Sequence, residues 1–279
     1  MPQTTTQKAE ASDARSAIIL AAIVIAVAVF CVKYGLQTLV WANARHWTSS
    51  NAWLMDVPQP LPAPTASAAP PPPAASGSKT AGAKSNPKAG PQPLRAFDHQ
   101  FLPPWPGNVK SAAHDGFTEF RFDSGQVIVF LDPETQLDTL GQMKTKNELE
   151  FQQLQGMLGD QFPDTNYALY NIIYSVSPAQ TSPFMQTQDA MRKNVLLLWK
   201  LSFGFDLPGG IHSFEFGPNH GFQFGDPSGG HPVAIRSFDN FDKQFRLIFT
   251  AASGSSGSIT QNDIDSVLQS FQPVPLLER

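Results

Sequence analysis

From Ala17 to Val32 sixteen successive residues are apolar, AIILAAIVIAVAVFCV, and no other part of the chain repeats this. Lys33 interrupts the run, which resumes through Tyr34, Leu36, Leu39, Val40 and Trp41, 25 residues from its start. Crossing a bilayer core takes about 20 helical residues, so the pattern predicts one membrane-spanning helix over residues 16–42 behind a polar tail, 1–15. Lys33 would reach the interface along its aliphatic stem, and Tyr34, Trp41 and Trp47 suit an interfacial aromatic belt. Ala42-Asn43-Ala44 has the form of a signal-peptide cleavage site. Leu36, Leu39, Val40 and Trp41 fill the gap before it, where a short polar stretch belongs, so an uncleaved anchor is expected.

Beyond residue 95 the spacing of apolar positions changes from element to element. Phe117–Phe122 alternates, Gln126–Leu131 is β-rich, and Asp123-Ser124-Gly125 between them predicts a hairpin. Three helices are expected next. Thr145 with Glu148 has the capping-box spacing before Phe151, Leu154 and Leu158. Asp164 precedes the stripe Leu169, Ile172, Ile173 and Val176, and Thr187 precedes Met191, Val195 and Leu198, widened by Leu197 and Leu201. Glycines then punctuate four strand-like runs: Ile211–Phe216, Phe222–Phe224, Pro232–Phe238 and Lys243–Thr250. A turn is read at Asp239-Asn240-Phe241-Asp242, and a loop at Ser253–Ser258. Thr260 and Asp263 open a last helix whose buried face is Ile264, Val267, Leu268 and Phe271. Strands joined by short turns pair antiparallel, so the expected fold class is α+β, a mainly antiparallel sheet flanked by helices.

Composition supplies the linker. Residues 57–93 hold 11 Pro, 9 Ala, 4 Ser and 3 Gly with no aromatic, too little to offset ordering entropy. Residues 43–94 are therefore read as a juxtamembrane segment and flexible spacer, able to reach on the order of 115 Å if fully extended, and 95–279 as the globular body. Charge narrows the partners. The body has 12 Lys and Arg against 20 Asp and Glu, a formal −8, and residues 1–94 have 7 against 3, a formal +4. An acidic body is a poor match for phosphate backbones, so no nucleic-acid partner is expected. The one Cys, Cys31, lies in the apolar run, which excludes an intrachain disulfide framework and cysteine zinc sites. Lys8 and Arg15 before the run balance Lys33 and Arg45 after it. The thiol-free body and the extracytoplasmic character of the spacer favour a cytoplasmic N-terminus and an extracytoplasmic body.

The C-terminal third carries a resemblance. The strand pair VAIRSFDNFDKQFRLIFTAA follows a Gly-rich region, and the helix TQNDIDSVLQSF closes on Leu-x-Ser-Phe. Over roughly 70 residues this resembles the Mog1/PsbP-like domains, α/β/α sandwiches around an antiparallel sheet. The resemblance implies a non-enzymatic domain that serves binding or assembly.

Candidate chemistry is sparse. His212, Glu215, His220, Asp226 and His231 cluster in the Gly-rich strand region. Their spacing matches no zinc pattern, and in a strand His212 and Glu215 point to opposite faces. Of these, His212, His220, Asp226 and His231 are retained as candidate binding residues, with no catalytic residue, no metal and no cofactor expected. No G-x-S-x-G or P-loop pattern occurs. The layout predicts a single-pass, membrane-anchored extracytoplasmic binding or assembly-accessory module with a protein partner. Two other readings stay open. One is a structural subunit of an envelope or secretion complex, with Gly35, Ala21, Ala22, Ala26 and Ala28 allowing close helix contact. The other is a hydrolase or metal-dependent enzyme using His, Asp and Glu residues of 212–231.

Overall fold

The computed structural model describes residues 35, 37–39, 41–62, 92–132, 139–252 and 257–274. The apolar run 17–32 lies outside the described residues; of the expected anchor, 16–42, only 35, 37–39, 41 and 42 are described, all of them helical. Among the described residues no helix is long and apolar enough to cross a membrane. The chain packs as two units, the first combining residues up to Met55 with Val176–Leu198. In it α1 is helical at 35, 37–39 and 41–50, and a 3-10 turn at Ala52–Met55 buries Trp53 and Leu54. Gln37 Nε2 donates to Thr187 Oγ1 at 2.6 Å, and Ser177 Oγ lies 3.9 Å from the Met55 sulfur.

The second unit, Asp56–Ser175 with Trp199–Arg279, carries both sheets. Its strands are β1 (Gln59–Pro60), β2 (Leu94–Ala96), β3 (His99–Phe101), β4 (Val109–His114), β5 (Phe117–Phe122) and β6 (Gln126–Leu131). After the helical region come β7 (Ile211–Phe216), β8 (Asn219–Phe224), β9 (Val233–Phe238), β10 (Gln244–Ala251) and β11 (Gln272–Pro273). An eight-stranded sheet runs β1-β7-β8-β9-β10-β6-β5-β4, and a three-stranded one β11-β3-β2. Every pairing is antiparallel except β1 with β7. The mainly antiparallel α+β expectation is met.

Period-two alternation sorts the large sheet into two faces. Register puts Phe214, Phe216, Val233, Ile235, Phe245, Leu247, Phe249, Phe130 and Phe120 on one of them. That face packs against Ile264, Val267 and Leu268 of α6 (Gln261–Ser270), against Phe271, and against Phe101 of the small sheet. Burying each such side chain contributes roughly 1.5–3 kcal/mol, which is why this face holds the α6 layer in place. Phe222, Phe224 and Phe238 lie on the opposite face, beneath Tyr167, Tyr170 and Tyr174 of α4 (Asn166–Ser175). Arg236 shares that face. Its guanidinium sits 4.0 Å over the Tyr170 ring and donates to Gln244 Oε1 and the Phe203 carbonyl.

Several local expectations are corrected. Thr145 opens no helix. It lies inside α2 (Leu140–Lys146), where its hydroxyl donates back to the Gly141 carbonyl, and the cap is Thr139. α3 (Glu148–Leu158) starts separately after Asn147. Asp164 does not cap α4; Thr165 Oγ1 accepts from Ala168 N–H, and Asp242 accepts from Asn166 and Tyr167 N–H at 2.5 and 3.1 Å. In α5 (Thr187–Phe203), Met191 and Leu198 of the expected stripe are 52% and 40% exposed, while Ala190, Leu196, Leu197 and Lys200 are buried. A lysine on the inner face hides that stripe from a hydropathy reading. The Thr260–Asp263 box on α6 is present as expected.

The spacer is also redrawn. Gln59 and Pro60, inside the expected spacer, pair with His212 and Ser213 of β7. At its other end Leu94 opens β2, which pairs with β3. Both ends of the Pro/Ala-rich stretch therefore belong to the same unit.

Candidate functional site

β1 lies at the edge of the large sheet, and the missing N–H groups of Pro60 and Pro62 fall on its outer side, away from β7, where a strand tolerates proline. Leu61 N–H makes the last bond, to the Ser213 carbonyl at 2.8 Å. Since Gly225 N–H bonds the Gly210 carbonyl, the even-numbered residues of β7 turn their polar groups toward β8. Ser213 and Glu215 turn theirs outward. Ser213 is served by β1; Glu215, beyond the end of β1, has no backbone partner on this side among the described residues.

A groove of about 400 Å³ opens at this point, walled by Pro60, Leu61, Tyr167, Ser213 and Glu215, with Phe214 and Phe216 contributing beside them. That volume lies within the range of small-ligand and peptide side-chain sites. Glu215 is its one charged side chain, and it is exposed. Tyr167 is placed by α4 over β8. Its ring stacks on Phe222 at 5.3 Å and meets His220 edge-on at 4.5 Å. Burial first, and the Glu215 charge second, push the Tyr167 phenol above its ordinary pKa, so it stays a neutral donor. The groove thus offers a carboxylate, a phenol, a hydroxyl and an open strand edge beside apolar walls.

The same unit holds a buried amine. Lys200 is 0% exposed and its Nζ donates to the carbonyls of Asp56 and Tyr174, the second at 3.0 Å. Burial lowers its pKa to about 8, while the Asp56 charge pulls the other way. The bond to Asp56 fixes the approach of the chain into β1.

The residues singled out from sequence do not form one cluster. His212 and His220 lie on opposite faces, since His212 pairs with Gln223 and His220 with Glu215. His212 Nε2 stands 2.9 Å from the Gly209 carbonyl, which can only accept, so that nitrogen carries the proton. Asp226 caps the 3-10 turn Pro227–Gly229; hydrogen bonds from Ser228 chiefly, with the His212 charge a smaller cause, hold its carboxyl below the ordinary range. His231 is exposed, its ring against Gly229. Among the described residues no three His, Cys, Asp or Glu side chains are grouped to hold a metal ion. His220 and Glu215 do pair across β7 and β8, but none of the four candidate residues lines the groove, and His220 only meets its Tyr167 wall. Tyr167 was not foreseen; it is 48 positions from Glu215 in sequence and arrives through the packing of α4.

Comparison with family models, curated proteins and solved structures finds no match.

Proposed function

We propose that this chain is a membrane-anchored, extracytoplasmic binding or assembly-accessory module of the Mog1/PsbP-like kind, and that it captures an extended segment of a partner protein at the β7 edge. The apolar run 17–32 is the anchor in this reading. The observation that carries the binding role is the early stop of β1, which leaves Glu215 with an outward N–H, C=O and carboxylate at the mouth of the groove. A strand laid on this edge gains main-chain hydrogen bonds for affinity, and side-chain pockets supply selection. The acidic groove favours a basic side chain opposite Glu215.

The test places a photo-crosslinking residue at Pro60 in the full chain, in native membranes. A discrete protein adduct is expected, and Glu215→Lys should weaken it by about tenfold or more by reversing the groove's charge. An adduct indifferent to that reversal, or none, defeats the binding reading. Release of the full chain from membranes by alkaline extraction defeats the anchor reading.

A further inference from the structure

The opposite end of the large sheet is open along a whole strand. β4 pairs with β5 from Val109 to His114, and no other strand pairs with its outer side among the described residues. Asp123 N–H donates to the Asn108 carbonyl at 3.2 Å, so Lys110, Ala112 and His114 turn their backbone groups toward β5. Val109, Ser111 and Ala113 turn theirs outward. Every residue from Lys110 to His114 is exposed. Edge strands are ordinarily blunted by proline, a bulge, a covering element or several charges. β4 has no proline and no interruption in its register, its middle is Ser-Ala-Ala, and its one guard is Lys110.

We propose that β4 pairs with β4 of a second copy of this chain, antiparallel about a two-fold axis through Ser111, joining the two large sheets into one. This register follows from the residues. Outward-facing positions must meet outward-facing positions, so the axis can set Ser111 against Ser111 and Val109 against Ala113 in both directions. Each of these pairs exchanges both of its hydrogen bonds. Lys110 then faces Ala112 of the other copy and blocks nothing. An axis through Lys110 would set two ammonium groups opposite each other, and one through Ala112 would forfeit one of the hydrogen-bonded pairs. The β7 edge does not serve the same purpose. β1 covers its first half, and a two-fold axis at its open half would oppose two Glu215 carboxylates. A partner sharing the same patch gives a closed pair rather than a filament. The acidic bodies repel one another at long range, whereas β4 carries no acid, so added salt tightens the association.

The experiment uses full-length chain in detergent, with Cys31→Ser removing the one native thiol. Ser111→Cys places two thiols on the axis, with Cα atoms about 5.5 Å apart, inside disulfide range. Lys110→Cys places them about 8 Å apart, outside it. Mild oxidation should give a covalent dimer for the first variant and not the second. Light scattering should give dimer mass for the parent and monomer mass for Ala113→Pro, whose lost N–H faces away from β5. A monomeric parent, equal crosslinking at both positions, or a dimer untouched by Ala113→Pro would each overturn the proposal.

Discussion

Lys200 shows how one side chain can carry an element's inner face and still be charged. Its amine is buried against two carbonyls and titrates at about 8 rather than at its ordinary 10.5. Between those values the unfolded chain binds more protons than the folded one, so this residue makes stability rise with pH from about 8 to 10.5. Below about 8 the cost of burying the ammonium is fully present. The difference in unfolding free energy between the parent and Lys200→Met should change across that window by at most about 3 kcal/mol, measured by denaturant titration at several pH values. An unchanged difference would mean the amine is solvated. Gly221 is the opposite case, where absence of a side chain is the requirement. A Cβ there would stand 2.1 Å from the Arg236 carbonyl, so Gly221→Ala should cost about 1–3 kcal/mol and lower the thermal midpoint.

At the scale of elements, α4 is held in register by a residue far along the chain. Asp242, in the turn between β9 and β10, adopts a left-handed φ of 58° and presents its carboxylate to the first N–H groups of the helix. Asp242→Ala should therefore cost about 1–2 kcal/mol, with Asp242→Asn costing less, since asparagine tolerates the same backbone and keeps an acceptor. An unaltered thermal midpoint for the alanine variant would show the cap to be dispensable. The same bond explains what could be read from sequence. The β5–β6 hairpin, β7 to β10 and α6 were legible because each buries alternate or helically spaced residues and carries its own turn or cap. Asp164 was a plausible cap by position, and nothing local says that Asp242 supplants it. β4 was missed because an edge strand with exposed residues on both faces leaves no alternation. β2 and β3 were missed because three residues are too few to show a period. The groove was the least legible part. Glu215 was visible as a strand residue, but the cavity exists because β1 stops where it does and α4 brings Tyr167 over the neighbouring strand.

At the scale of the whole molecule, the Pro/Ala-rich stretch has a different standing from the one its composition suggested. It leaves β1 and returns at β2, so thermodynamically it is a loop closure. Loop-closure entropy grows only with the logarithm of length. Removing about half of residues 63–91 should raise stability by about 0.6 kcal/mol, and a collapse on shortening would mean that the segment contributes contacts of its own. A separate thermal transition for each of the two packing units is not required by this change, because the deletion falls within one of them.

That closure resets the geometry of attachment. With the apolar run 17–32 as the proposed anchor, the leash implied by composition lies beyond β1 and not between that run and the large sheet. What lies between Trp41, where the interrupted run ends, and the sheet is the covalent path to Asp56, ten of whose residues are helical and climb only 1.5 Å apiece. Ala52–Met55 add a 3-10 turn at about 2 Å per residue, so this stem reaches at most on the order of 30 Å. In the proposed reading the body would work near the lipid headgroups, and whatever it grips would have to come down to meet it.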